Sequence, residues 1–343
     1  MIPAASWRSG RPPCTARHRP CENPPVPSVF AVTFPFFALV LIGYLAARRG
    51  LLPIGAIPGL NGFVLYFALP CMLYRFGARS PLSQLLNPLS AAVYLGAALV
   101  MIALALLLAR RGGWNWNDSA FGALVTTFPN TGFMGVPLIT ALLGAAAAGP
   151  VVQTMAIDMV ITSSLCIALS RLDGAGVHGM ATALRQAVRG MLVNPLPWSI
   201  ALGALASAVG LVLPAPLERT LALLGDAAPP VALVTIGAVL ARSQMGHDSA
   251  VGWRSHVPLA LAKLLLHPLL IVAGGWLAAR AGKPLPPLSL SAMVLVAALP
   301  SASNVAVLAE RFGAHNGRIA RIIMVSTTLA FLSFSAVVVL VQG

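Results

Sequence analysis

The stretch "TTFPNTGFMGVPLITALLG", Thr126–Gly144, decides the fold. Apolar sequence flanks it on both sides, enough in sum to cross a bilayer, yet its middle carries Pro129, Asn130, Gly132, Gly135 and Pro137. Proline removes a backbone donor and clashes with the preceding turn. Lipid cannot satisfy an asparagine amide or a freed backbone group. Irregular backbone at membrane depth survives only where it is buried in protein or lines a cavity. The stretch therefore predicts a span broken at mid-depth.

Outward from it, the chain is membrane sequence. Of 343 residues, 58% are hydrophobic and 9% charged, and the mean hydropathy is +0.87. A soluble domain carries about a quarter charged residues, so this composition predicts an all-α polytopic membrane protein. The net charge of +14 does not read as a nucleic-acid footprint. The basic residues stand in short groups between apolar runs, such as Arg48-Arg49, Arg110-Arg111 and Arg318 with Arg321, without interleaved aromatics. They read as topology signals. Cys14, Cys21, Cys71 and Cys166 show no metal-ligand spacing and no disulfide framework.

Windows of about 20 apolar residues give ten spans: 30–47, 59–76, 89–109, 120–143, 151–169, 195–213, 221–241, 258–279, 288–310 and 319–341. The fourth and fifth are separated only by "GAAAAGP", Gly144–Pro150, and risk being counted as one. Loops after odd-numbered spans hold twelve arginines (48, 49, 110, 111, 171, 185, 189, 242, 254, 311, 318 and 321) against five basic residues after even-numbered spans (Arg75, Arg79, Arg219, Arg280 and Lys283). The richer set faces the cytoplasm, which puts both termini outside. Residues 1–28 form a basic, Pro-rich leader that breaks this rule through Arg8, Arg11, Arg17 and Arg19. It lacks an apolar signal core, is expected to be disordered, and has the character of an over-extended gene start.

The polar connection 173–190 divides the spans into two halves of five, residues 29–172 and 191–343. The halves echo each other: "FALPCML" against "DAAPPVAL" in the second and seventh spans, "FPNTGF" against "LPSASNVAV" in the fourth and ninth. An odd number of spans per half makes the repeats inverted. Paired interrupted segments in inverted halves point to a transporter's binding site. If the broken fourth and ninth helices cross, each second half-helix aims its N-terminal amides and partial positive charge at the midplane, where an anion binds. Pro129, Asn130 and Gly132 on one side, and Pro300, Ser303 and Asn304 on the other, are the substrate-site candidates. Asn130, and Ser301, Ser303 or Asn304, are also candidate helix caps. An ordinary proline kink is the alternative for Pro129 and Pro300.

These residues resemble a known family. "FPNTGFMGVPL" (Phe128–Leu138) and "ALPSASNVAVLAERFG" (Ala298–Gly313) resemble the crossover segments of the auxin efflux carriers. "PFFALVLIGYLAARRG" (Pro35–Gly50), "NGFVLYFALPCMLY" (Asn61–Tyr74) and "LGDAAPPVALVTIGAVL" (Leu224–Leu240) are similar to its first, second and seventh spans. The resemblance implies ten helices in a five-plus-five inverted repeat with crossed fourth and ninth helices. It also implies a scaffold of spans one, two, six and seven beside a moving unit, and a carboxylate substrate, such as a small dicarboxylate in bacterial members. It assigns carboxylate contact to Asn130 and Asn304. The long cytoplasmic loop of the plant carriers is missing.

Charges inside the membrane are costly, and each is a functional candidate. Lys263 in the eighth span shares a helix face with His267. The amine meets a substrate carboxylate, or it belongs to a structural ion pair. His267 is a hydrogen-bonding helper or a proton carrier. Asp158 in the fifth span is a proton-coupling carboxylate, a sodium ligand, or a fixed partner of Lys263. Asp226 and Glu310 are expected near the membrane surfaces. No HExxH, GxGD or GxxxxGK[ST] motif is present. The resulting expectation is a secondary carrier of a small organic anion in the bacterial cytoplasmic membrane, not an enzyme and without a cofactor. A sodium-coupled symporter of the bile-acid type, a sodium/proton antiporter and a channel are the alternatives. Proton or sodium coupling and a homodimeric state stay open.

Overall fold

The structure, a computed structural model, describes residues 29–79, 87–171, 195–245 and 256–342. The expected leader, 1–28, and the expected connection, 173–190, lie outside the described residues, as do Arg185, Arg189 and Arg254. The described chain is almost entirely helical, and its one β feature is an isolated antiparallel bridge between Pro129 and Ser301.

Twelve helices are distinguished among the described residues: α1 (Val29–Arg48), α2 (Ile54–Arg79), α3 (Pro88–Arg111), α4 (Trp116–Thr127), α5 (Thr131–Leu143) and α6 (Ala148–Ser170). There follow α7 (Pro195–Ala208), α8 (Ala215–Met245), α9 (Val257–Arg280), α10 (Pro287–Ala298), α11 (Asn304–Arg311) and α12 (Asn316–Gln342). Six are long and apolar enough to cross a membrane: α2, α3, α6, α9, and the Ala215–Arg242 and Asn316–Val341 parts of α8 and α12. The shorter apolar helices are Phe34–Arg48, α5, Trp198–Ala208 and α10. The fourth and fifth expected spans are separate. Gly144, at φ 86°, turns the chain between α5 and α6, and only glycine adopts that conformation freely.

Local chemistry sets the ends. Asn87 caps α3, accepting from the amides of Leu89 and Ser90, with Pro88 in the first turn. Asn115 caps α4 by accepting from the Asp118 amide at 2.7 Å. The Asp118 carboxylate sits at the positive end of α4 and binds the Arg318 guanidinium at 3.0 Å and the His315 amide at 2.8 Å. The turn before α4 is thereby tied to the start of α12.

Packing falls into two groups. α1 lies along α8, α2 lies along α7, and α2 meets α8. The second group joins α3, α4 and α6, and α9 with α3 and α10; α10 also packs on α6 and α12. In the first group the backbones touch. A methyl group at Gly43 would lie 1.9 Å from the Val234 carbonyl oxygen, and one at Gly237 1.9 Å from that of Val40. Gly203 and Gly77 play the same part between α7 and α2, at 2.2 Å from the Tyr74 oxygen and 2.6 Å from the Ile200 oxygen. Small residues permit such approach, which drives helix association in lipid. Asp226, on α8, is exposed and pairs with Arg75 of α2 at 2.7 Å.

Candidate functional site

α4 ends at Thr127 and α10 at Ala298, and each is followed by extended backbone, at Phe128 and at Leu299. These two breaks lie against each other. The Asn130 amide donates to the Pro300 carbonyl at 2.8 Å, and the Ala302 amide donates to the Phe128 carbonyl at 3.0 Å. Backbone groups that the prolines set free are thus satisfied by the opposite break, which is how irregular chain is tolerated in an apolar setting. Ser326 of α12 supports the pairing, its hydroxyl accepting from the Ser301 amide at 3.1 Å. Gly135 allows close packing, since a methyl group there would lie 2.7 Å from Leu299 Cδ1.

The Asn130 carbonyl accepts from the amides of Met134 and Gly135, both at 3.0 Å, and so opens α5. Its side chain makes no capping bond. The capping expected of the Asn130 side chain is corrected on this point: the backbone does that work and the amide is left over. Asn130 is buried, and its Oδ1 has no partner; the Oδ1 of Asn304, at the start of α11, is buried without a partner too. Both line one small cavity with Pro129, Gly132, Phe133 and Met155, among others. Its volume is about 20 Å³, room for one water molecule. The first-turn amides of α5 and α11 have no intrahelical partner by position.

A second polar group is buried between α3, α6 and α9. Asp158, fully buried, accepts from the Tyr94 hydroxyl at 2.6 Å and from Thr162 at 3.1 Å. Lys263, also fully buried, is 2.9 Å from His267 Nδ1 and donates to the Ala297 carbonyl at 3.1 Å. That carbonyl is among the last of α10, at the negative end of its dipole, where a cation is favoured. Asp158 opens a π-helical turn, Asp158–Thr162, and Lys263 lies in another, Ala262–Leu266. Such turns are rare and gather at functional sites.

A family model described as membrane transport protein matches residues 28–338. The chain belongs to this family, that of the auxin efflux carriers. It is similar to "Putative malonate transporter" of Rhizobium meliloti (strain 1021), 28% identical over 319 residues, 92% of this chain and 96% of that protein. It is also similar to "Uncharacterized transporter YfdV" of Escherichia coli (strain K12), 23% identical over 82% of this chain and 87% of that one. "Auxin efflux carrier component 8" of Arabidopsis thaliana is 22% identical, covering 72% and 81%. The resemblance read from the motifs therefore holds, and the chain is a membrane transporter.

In this transporter the expected site residues fall into two places. Pro129, Asn130, Gly132 and Asn304 meet at the cavity, and Pro300 takes part through its carbonyl. Ser303 contributes its carbonyl to the Ala306 amide at the start of α11. Lys263, Asp158 and His267 do not line the cavity. Lys263 and Asp158 form no ion pair; the ion pairs among the described residues are Arg75–Asp226, Arg79–Glu218 and Arg318–Asp118. Sequence reasoning passed over Tyr94, whose hydroxyl bonds Asp158 and whose ring packs on His267. A tyrosine in an apolar run reads as packing, and its partner is 64 residues away.

Proposed function

We propose that the chain is a secondary active carrier of a small mono- or dicarboxylate. It would work by alternating access around the paired breaks, which are the crossover of a five-plus-five inverted repeat. The observation that carries this reading is the pair of asparagines at two helix starts that line one cavity, each with a buried side-chain oxygen that has no partner. An amide turned with its NH2 inward is a hydrogen-bond donor. Two such donors beside the positive ends of α5 and α11 suit a carboxylate. A cavity with room for one water does not admit even a small dicarboxylate, so loading requires the elements around it to move apart. That favours a carrier with an occluded state over a channel, which needs a continuous pore.

The repeat is supported by spacing. The six left-handed glycines among the described residues are Gly50, Gly113, Gly144, Gly210, Gly282 and Gly313. They pair across the halves at offsets of 160 (210 − 50), 169 (282 − 113) and 169 (313 − 144). The close-contact glycines keep the first offset, 203 − 43 and 237 − 77 both giving 160. The step between the two offsets falls between Gly237 and Gly282, because α8 runs farther past Gly237 than α2 past Gly77 and the segment before α9 is longer than that before α3. Both termini are assigned to the outside of a bacterial cytoplasmic membrane from the arginine asymmetry.

The name of the Rhizobium relative suggests malonate as the first probe. Purified protein in liposomes preloaded with unlabelled acid should take up external radiolabelled acid by counterflow, with saturation, for at least one member of a panel of mono- and dicarboxylates. Uptake that grows linearly with concentration and shows no counterflow would mark a channel instead.

A further inference from the structure

Four buried polar side chains stand outside the crossover, and the role inferred for them rests on the carrier reading. Asp158 has only hydroxyl partners, those of Tyr94 and Thr162. A buried carboxylate without a cation bonded to it is costly, and taking up a proton relieves the cost. Lys263 is held by two neutral groups, the His267 ring nitrogen and the Ala297 carbonyl. The Tyr94 ring lies against the His267 ring, centroids 5.8 Å apart. The four side chains thus form one buried cluster, joined by hydrogen bonds between Tyr94 and Asp158 and between Lys263 and His267, and by ring packing between Tyr94 and His267. Within it, His267 Nε2 is buried without a partner.

The cluster touches both sides of the crossover. Asp158 directly precedes Met159 and follows Met155 by one turn, and both methionines line the cavity. Ala297, which Lys263 holds, is three residues before Pro300, whose carbonyl receives the Asn130 amide. Tyr94 and Lys263 are 169 positions apart (263 − 94), the offset of the glycines that end these same helices. Two-fold related positions in α3 and α9 therefore carry a hydroxyl and an ammonium.

We propose that Asp158, enclosed by Tyr94, Thr162 and the Lys263–His267 pair, is the proton site of a proton–carboxylate symporter. An anion in the cavity and an ionised Asp158 repel each other across a medium of low dielectric. Protonating Asp158 removes that repulsion, so anion and proton each favour the other's binding, reciprocally. One proton adds to the carboxylate on the loading side and leaves it on the releasing side; no other bond changes. The titratable groups near Asp158 are Tyr94 from α3, Cys166 two turns along α6, and Lys263 from α9, with His267 beside Lys263. α10 presents the Ala297 carbonyl to Lys263.

The test uses purified full-length protein and malonate, over a pH range in which malonate itself stays fully ionised. In unbuffered solution with an indicator, binding should take up about one proton per malonate. Above the titration the malonate Kd should rise about tenfold per pH unit. Asp158→Asn should give a Kd independent of pH, whatever its absolute value, and no proton uptake. His267→Gln should keep the parent's slope. Binding by the parent without proton uptake would overturn the proposal. So would a slope that survives in Asp158→Asn, vanishes in His267→Gln, or follows sodium instead of pH. If Asp158→Asn does not fold, Tyr94→Phe serves: with one donor lost, the midpoint of the Kd–pH curve should move to higher pH, and an unmoved midpoint would overturn the assignment. A parent that neither binds nor exchanges any acid of the panel would remove the carrier reading and this one with it, whereas binding without protons removes this one alone.

Discussion

At the scale of single residues, Asn130 and Asn304 were legible because an amide in lipid-depth sequence has no cheap explanation. Both line one cavity, each with a side-chain oxygen that has no partner. Hydrogen bonds to a charged group are worth about 1.5–3 kcal/mol. Asn130→Ala and Asn304→Ala should therefore each raise the carboxylate Kd roughly ten- to a hundredfold while the protein still inserts. Asn130→Asp and Asn304→Asp should be worse, because each sets a negative charge against the anion. Equilibrium binding of the four variants checks this, and parental affinity in the aspartate variants would place the anion elsewhere. Lys263 was half legible. Its burial and its pairing with His267 followed from spacing, but its bond to the Ala297 carbonyl is a contact between distant segments that spacing cannot show. Lys263→Ala is expected to act on stability first, by about 1–3 kcal/mol for the polar groups left unpaired. A thermal unfolding curve in detergent would show it. A large loss of affinity with unchanged unfolding would return the amine to the substrate.

At the scale of elements, the broken spans were readable from proline and glycine inside apolar sequence, whereas the π-helical turns were not. Such turns insert one residue into an otherwise regular helix and leave no mark in composition. Glycine close contacts were equally hidden, since a glycine facing a backbone and one facing lipid look alike in sequence. The structure separates them. Gly43 and Gly237 abut the backbones of α8 and α1, while Gly96 of α3 has nothing within 4 Å of the place a methyl group would take. Gly43→Val and Gly237→Val must push α1 from α8, and overpacking of this kind costs about 1–3 kcal/mol. Gly96→Val should leave unfolding close to the parent's. Thermal unfolding of the three variants side by side is the measurement; equal effects at all three positions would mean that α1 and α8 do not meet backbone to backbone.

At the scale of the whole molecule, orientation rests on the charges that flank the helices, twelve arginines against five basic residues. The packed helices themselves carry no sign of which end is inside, because two inverted repeats, as proposed, present the same elements in opposite senses. A charge count is therefore the physical handle on topology, through the cost of moving arginine across the membrane and the anionic cytoplasmic leaflet. It predicts that the connection after α6 is cytoplasmic and that the turn after α9 is external. In a variant lacking Cys14, Cys21, Cys71 and Cys166, a cysteine at Ala175 should resist a membrane-impermeant maleimide in intact cells and react after lysis. A cysteine at Ala281, which is exposed at the end of α9, should react in intact cells. Ala281 is exposed beside Gly282, so access there is decided by the membrane and not by packing. The reverse pattern would invert the molecule, put the termini in the cytoplasm, and reverse the side from which a proton gradient would load the carrier.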